Sequence, residues 1–195
     1  MDSKTRIIVA IALIAFGLFL LFVFNSKPVP PTAFHQHADF KVYINGQVVD
    51  FAKEKFMSDQ NKQLSEFVHL HDLDEPVIHQ HKAGIILSDF FKSIGMEFDS
   101  NCFTLDTRQK FCNEGDKMLK MFVNGQPNSQ FGNYEFKDLD RILITYGNES
   151  QQQIQDQIQS VSDRSCILSE KCPERGPAPP ETSCTLSAGC LDPQQ

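Results

Sequence analysis

The sequence predicts an α+β domain, mostly antiparallel sheet of hairpins with one short helix, behind a single transmembrane helix. Three observations support this class. Apolar and polar residues alternate around two Asn-Gly pairs, which favour tight hairpin turns. One short stretch has the spacing and end residues of a helix, and a long apolar segment lies near the N-terminus. A β-grasp-like arrangement of these elements is one candidate.

The apolar segment at residues 7–24, IIVAIALIAFGLFLLFVF, is long enough for a helix that crosses about 30 Å of hydrocarbon. Lys4 and Arg6 precede it, so residues 1–6 are expected in the cytoplasm and the anchor passes the cell membrane once. The alternative is a cleaved signal peptide, which has a shorter apolar region and a small-x-small cleavage site. Both alternatives place the rest of the chain outside the cytoplasm, after a proline-rich linker at residues 25–33.

The main α+β domain is predicted over residues 34–148. FKVYINGQVVDF and LKMFVNGQPNSQF should each form a hairpin, FVHLHDLDEPVIHQH a third, FTLDTRQKFC a strand pair and RILITYG a strand. LSDFFKSIG predicts a short helix that Ser88 caps, that buries its two phenylalanines and that Gly95 ends.

The C-terminal part changes in composition. Residues 149–163 carry isoleucines and a valine at helical spacing on a polar background, which predicts an amphipathic helix. Residues 164–195 form a cysteine-rich tail with two SC-x-LS-x-x-C repeats, SCILSEKC and SCTLSAGC. The sequence leaves open whether this tail is an ordered knob or a flexible appendage.

The six cysteines predict structural disulfides, because an even number at short spacings outside the cytoplasm is typical of them. None stands in the Cys-x-x-Cys spacing of a thioredoxin-like redox centre or a zinc knuckle. The six cysteines can be paired in about fifteen ways. Proximity in sequence favours pairing Cys102 with Cys112, Cys166 with Cys172, and Cys184 with Cys190.

The charge of the chain and its lack of catalytic motifs limit the functions to be considered. A formal net charge of −7 without a cluster of Lys and Arg argues against nucleic acid as a partner. No Ser-His-Asp or Cys-His arrangement, glycine-rich phosphate loop or pair of catalytic carboxylates stands out. Whether the protein is an enzyme therefore stays open, with binding favoured over catalysis.

All the histidines fall in three His-x-His pairs. Residues i and i+2 of a strand point to the same face, so each pair can bind one ion with two imidazoles. The apolar residues of these strands have mainly the opposite parity, so the histidines should lie away from the main core. The candidate metal ligands are His35, His37, His69, His71, His79 and His81.

The register of the third hairpin decides whether these pairs meet. If His71 lies opposite either His79 or Val77, all four histidines of this hairpin lie on one face. A register shifted by one residue would send the two pairs to opposite faces. His35 and His37 complete the set if their strand lies beside the hairpin.

Asp39 and Asp72 are candidate extra ligands, or acceptors that orient the imidazoles from behind. Imidazole-rich sites without thiolates suit Cu(II), Zn(II) or Ni(II), and we expect Cu(II) or Zn(II). The sequence thus favours metal capture, sensing or delivery at the cell surface, with a metal-delivery or envelope protein as the partner. The alternatives are a metalloenzyme, a polar sheet face, a pH sensor, and a structural or thiol–disulfide partner protein.

Several segments also carry a resemblance: HADFKVYING, FVHLHD, VIHQHKAG, SDFFKSIGM, LKMFVNG, DLDRILITYG and CPERG. They cover most of residues 35–176. In them the chain resembles a family of membrane-anchored, extracytoplasmic His-x-His proteins of archaea and candidate-phylum bacteria. Members sometimes carry the label of protein-disulfide isomerase. The resemblance implies thiol–disulfide exchange as one alternative, from which the lack of a Cys-x-x-Cys motif departs.

Overall fold

The computed structural model describes residues 2, 16, 34–58, 62–70 and 77–179. The chain divides into two units, residues 1–32 and 33–195, and the fold below belongs to the second. Among the residues described, no helix has the length and apolar character needed to cross a membrane. The predicted anchor at residues 7–24 lies outside them except for Phe16.

The described part of the chain contains ten β-strands and three α-helices. In chain order the strands are β1 (Gln36–Ile44), β2 (Gln47–Val48), β3 (Val68–His69), β4 (Val77–Gln80), β5 (Glu97–Phe98), β6 (Cys102–Thr104), β7 (Lys110–Cys112), β8 (Met118–Val123), β9 (Gln126–Pro127) and β10 (Arg141–Gly147). The helices are α1 (Leu87–Ser93), α2 (Gln151–Gln159) and α3 (Ser165–Leu168). Three turns of 3-10 helix lie at Glu54–Phe56, Phe131–Asn133 and Pro173–Arg175.

The large sheet has the strand order β3-β4-β1-β10-β8-β9, with β2 also paired to β1. Most pairs are antiparallel, which confirms the predicted α+β class. One pair corrects the expectation of a sheet made of hairpins, because β1 and β10 run parallel in the centre. Parallel neighbours need a long crossover, and here the chain between these two strands supplies the other strands and α1.

Both Asn-Gly hairpins are confirmed. Asn45 and Gly46 connect β1 to β2 with φ angles of 49° and 76°. Asn124 and Gly125 connect β8 to β9 with φ angles of 52° and 78°. Two successive positive φ angles define the turn whose twist matches that of the flanking strands, and Asn followed by Gly tolerates them best. The third hairpin is also formed, by β3 and β4, although its turn at residues 71–76 lies outside the described part.

Helix α1 forms where LSDFFKSIG predicts it and ends at Ser93, and Gly95, with a φ of 79°, turns the chain away just after it. The predicted cap is wrong: Ile86 holds the N-cap position, and the Asp89 carboxylate accepts its backbone N–H at 3.3 Å. The Ser88 hydroxyl instead donates to the carbonyl of Phe98 at 2.8 Å. The Ser88 side chain therefore links α1 to the small sheet and does not cap its own helix.

The small sheet has the order β5-β6-β7, and it covers α1 with aromatic side chains. Cys102 lies directly opposite Cys112, and the predicted disulfide joins them. Phe98 and Phe103 of this sheet lie 5.4 and 5.0 Å from the ring of Phe91, between ring centroids. The core is therefore an aromatic cluster between the two sheets.

The C-terminal helices cover the other face of the large sheet. Helix α2 is the predicted amphipathic helix, capped by Ser150. After it, the Ser160 carbonyl accepts from Lys41 Nζ at 2.6 Å, and the Ser160 hydroxyl lies 2.8 Å from the Tyr43 hydroxyl. Lys41 and Tyr43 share the parity of the histidines in β1. The histidine-bearing face of β1 is thus packed against the segment that follows α2.

The first cysteine repeat belongs to this packed segment. Its Cys166–Cys172 disulfide is present as predicted and closes a loop around α3. The predicted partners Cys184 and Cys190 lie outside the described residues. The described half of the tail is therefore a defined part of the domain.

Candidate metal centre

Three histidines form a row across three neighbouring strands. His79 of β4 is paired with His37 of β1 on one side and with His69 of β3 on the other. Directly paired residues lie on the same face of a sheet. The register of the β3–β4 hairpin therefore places His69 and His79 on a common face.

His35, one residue before β1, and His81, one residue after β4, extend this row. Their rings are stacked, with centroids 4.6 Å apart. His35 also lies 4.4 Å from the ring of His37, and His81 lies 4.9 Å from the ring of His69. The five described histidines, His35, His37, His69, His79 and His81, thus form one continuous cluster.

The tightest part of the cluster is His35, His37 and His79, whose potential ligand atoms all lie within 4.8 Å of one another. Two nitrogen atoms on one tetrahedral ion, each at about 2.0–2.1 Å from it, lie roughly 3.4 Å apart. Modest rotation of the side chains would bring the three nitrogens to one ion. His37 and His79 are only 2% exposed, whereas His35 is exposed, so the site is buried on one side and open on the other.

His37 has a defined hydrogen-bond chain behind its ring. Its Nδ1 lies 2.7 Å from the Ser169 hydroxyl, and that hydroxyl donates to Asp138 Oδ1 at 2.5 Å. Because the carboxylate only accepts, the hydroxyl hydrogen points to Asp138 and the hydroxyl oxygen accepts from the imidazole. The proton of neutral His37 therefore lies on Nδ1, and Nε2 has the lone pair that a metal needs.

His69 is oriented in a similar way by the backbone. Its Nδ1 lies 3.2 Å from the carbonyl oxygen of Ser65. A carbonyl oxygen accepts hydrogen bonds, so Nδ1 of His69 carries the proton and Nε2 has the lone pair that could bind a metal. Two of the three histidines in the central row thus share one tautomer.

Asp39 lies on the histidine face of β1 and is completely buried. One carboxylate oxygen accepts from the Ser162 hydroxyl at 2.6 Å and from Arg164 N at 2.8 Å, and the other accepts from Ser165 N at 3.0 Å. These donors surround the start of α3, where unpaired N–H groups favour a carboxylate. The contacts of Asp39 thus fasten the tail to β1.

Replacing Asp39 by alanine should lower the free energy of unfolding by about 2–3 kcal/mol, because buried donors lose a charged acceptor. Urea denaturation measures this loss, and hydrogen exchange of the Arg164 and Ser165 amides should become faster. Asp163→Ala is a matched control: this exposed carboxylate pairs with Arg175 and should contribute less than about 1 kcal/mol. Equal effects of the two substitutions would contradict the role given to Asp39.

The DLD segment, Asp138 to Asp140, forms a turn before β10, and its two carboxylates have different partners. Asp138 accepts from the backbone N–H of His37 at 3.1 Å as well as from Ser169. Asp140 accepts from the Tyr134 hydroxyl and from Asn124 Nδ2, both at 2.8 Å. Burial and this bond to Asp140 raise the pKa of Tyr134, so the phenol stays a neutral donor. Asp138 therefore helps to hold His37 in place, through its backbone and through Ser169, whereas Asp140 stabilises the turn itself.

The structure thus brings together five of the histidines named from the sequence. His71 and Asp72 lie outside the described residues. Ser169, Asp138 and Ser65 were not anticipated: a serine in a cysteine loop, an aspartate in a turn and a backbone carbonyl carry no sequence pattern that points to an imidazole.

Comparisons with protein-family models, with curated proteins and with solved structures gave no match for the chain. The class of protein is therefore defined by the site itself: an α+β domain with disulfides and a histidine cluster that can hold a metal ion.

Proposed function

We propose that this protein binds a transition metal, Cu(II) or Zn(II), through its histidine pairs for capture, sensing or delivery. The observation that carries the proposal is the convergence of His35, His37 and His79 from two strands. His69 and His81 adjoin them and supply further imidazoles. A cluster of imidazoles without a thiolate suits these two ions.

The setting supports an extracytoplasmic location. The two described disulfides, Cys102–Cys112 and Cys166–Cys172, indicate an oxidising compartment. We further propose that residues 7–24 anchor the domain to the outer side of the membrane, where a metal-delivery or envelope protein would be its partner. The apolar sequence of this segment supports that part.

The central parallel strands with α1 packed on the core support a β-grasp-like arrangement.

Metal loading tests the proposal. The full-length chain, purified without a histidine tag, is loaded separately with Cu²⁺ and Zn²⁺, dialysed and measured by mass spectrometry. We expect about one or two ions per chain, and X-ray absorption should show imidazole nitrogens at about 2.0–2.1 Å. Retention of no more than traces of either metal would reject the proposal. Sulfur neighbours at about 2.3 Å would place the metal at cysteines and reject the histidine site.

A metalloenzyme is the second candidate. His35 is exposed while His37 and His79 are buried, so an ion held by these three residues would be open to solvent on one side. Catalytic zinc sites have three protein ligands and an open position for water. The same absorption measurement separates the two functions. Four or more imidazoles on the ion favour capture or delivery, whereas three imidazoles and one oxygen favour catalysis.

A further inference from the structure

The loop closed by Cys166–Cys172 touches the candidate metal centre directly. Asp39 holds the start of α3, and the Ser169 hydroxyl, inside the same loop, contacts both His37 and Asp138. A cysteine-closed loop and a metal-binding imidazole are thus joined by one hydrogen bond. This juxtaposition involves residues that are far apart in sequence.

The position of Ser169 depends on how its loop is held. Helix α3 has only four residues, too few to be stable in isolation. Glu170, the next residue, has a φ of 54°, a left-handed conformation that non-glycine residues adopt only when their surroundings hold them there. The disulfide joins the residue after the start of α3 to a buried cysteine beyond Glu170. Closure of the loop therefore restrains the segment that presents the hydroxyl.

We propose that Ser169 and Asp138 are positioning residues of the metal centre, and that the Cys166–Cys172 disulfide controls how tightly the metal is held. With the disulfide closed, Ser169 keeps the proton of His37 on Nδ1 and Nε2 turned to the ion. With it open, Ser169 leaves His37 and the metal dissociates more readily. This inference rests on the proposed metal-binding function and names its regulation.

The chemistry of opening is thiol–disulfide exchange with a dithiol reductant. One thiolate of the reductant attacks a sulfur of the disulfide, the protein S–S bond breaks, and a mixed disulfide forms. The second reductant thiol then displaces the protein sulfur. Two electrons pass to Cys166 and Cys172, their sulfurs take up the two protons of the reductant, and the reductant becomes a disulfide.

Ser169→Ala tests the positioning role, and the second cysteine repeat offers its matched control. Ser187 holds the same place in SCTLSAGC that Ser169 holds in SCILSEKC. Competition with chromophoric chelators should show about 10–100-fold weaker Cu²⁺ or Zn²⁺ binding in Ser169→Ala, as is typical when an outer hydrogen-bond partner is lost. Ser187→Ala should bind as the wild type does, and Ser169→Thr, which keeps a hydroxyl, should restore most of the affinity.

The tautomer of His37 gives a second readout, because a loss of packing alone would not move its proton from Nδ1 to Nε2. In the metal-free chain, nitrogen chemical shifts should show neutral His37 protonated on Nδ1. In Ser169→Ala the proton should move partly to Nε2. An unchanged tautomer, unchanged affinity, or an equal loss in Ser187→Ala would each overturn the positioning role.

The disulfide is tested by Cys166→Ser/Cys172→Ser against Cys184→Ser/Cys190→Ser. Serines cannot re-form the disulfide, so the variant measures the effect of an open loop alone. We expect at least about a tenfold loss of affinity in the first pair and none in the second. Equal affinity in a folded first variant would overturn the redox part. If that variant does not fold, wild type treated with a dithiol and then alkylated replaces it, with the same two outcomes.

Failure of this inference is distinct from failure of the proposed function. A wild-type chain that binds neither metal rejects both the function and its redox control, whereas the His37 tautomer still tests the hydrogen bond. A wild type that binds metal as tightly without Ser169 rejects the inference alone.

Discussion

Replacing His37 and His79 together by glutamine is expected to weaken Cu²⁺ or Zn²⁺ binding by more than about 1,000-fold, because losing only a hydrogen-bond partner of a ligand already costs about 10–100-fold. Both imidazoles are buried, their rings lie 4.6 Å apart, and both belong to the tightest group of potential ligands. Glutamine keeps a polar side chain of similar size but offers no imidazole nitrogen. Isothermal titration or chelator competition on the full-length chain measures the change.

Lys41→Gln is the control for this double substitution. Lys41 lies on the same face of β1 and donates to the carbonyl of Ser160, so its loss removes one contact of the segment after α2 and leaves the Ser169–His37 bond and every imidazole in place. We expect metal affinity within about threefold of the wild type, because this change leaves the histidine cluster intact. If His37→Gln/His79→Gln is folded by circular dichroism and still binds within tenfold of the wild type, the metal is held elsewhere in the chain.

Replacing Phe91 by alanine should lower the free energy of unfolding by about 3–5 kcal/mol, the usual loss for a large aromatic side chain in a core. The Phe91 side chain is fully buried. Its ring lies 5.0 Å from that of Phe103 in the small sheet and 6.2 Å from that of Phe40 in β1, so it joins both sheets. A loss of this size is a large share of the stability of an ordinary domain. Urea denaturation measures it as a lower midpoint at a similar slope.

Phe67→Ala is the matched control, since this phenylalanine is 40% exposed and lies under Lys82 Nζ at 4.5 Å from the ring centroid. The exposed contact should contribute about 0.5–1 kcal/mol. A loss below about 1.5 kcal/mol for Phe91→Ala would mean that the two sheets are held together by other contacts, with little cavity cost at this position.

The hairpins were predictable because their determinants are local. Asn45-Gly46 and Asn124-Gly125 select turns with positive φ through their own backbone preferences, and alternation marks the buried face of each flanking strand. The helix position was predictable for the same reason. Its cap was not, because Ser88 is engaged by Phe98, a contact that depends on where the small sheet lies.

The parallel pairing of β1 with β10 is a tertiary result. Both strands show the composition and alternation of sheet strands, but neither pattern specifies which strand lies beside it or whether the two run parallel or antiparallel. This pairing is what brings the turn before β10 to His37: Asp138 accepts from the His37 backbone, and Leu139 N donates to the His37 carbonyl at 2.8 Å. The direction of one central pair thus decides which carboxylate lies behind the site.

The sequence by itself determined the chemistry available to the domain: imidazoles at a spacing of two on strand faces turned away from the apolar core and, elsewhere in the chain, cysteines at short spacings. Strand periodicity is a property of the backbone, so it assigns faces wherever a strand forms. Only the tertiary structure decided that His37 meets Ser169 and Asp138, which are separated from it by 132 and 101 residues. Such contacts depend on the packing of whole elements, and no local preference of a serine or an aspartate encodes them.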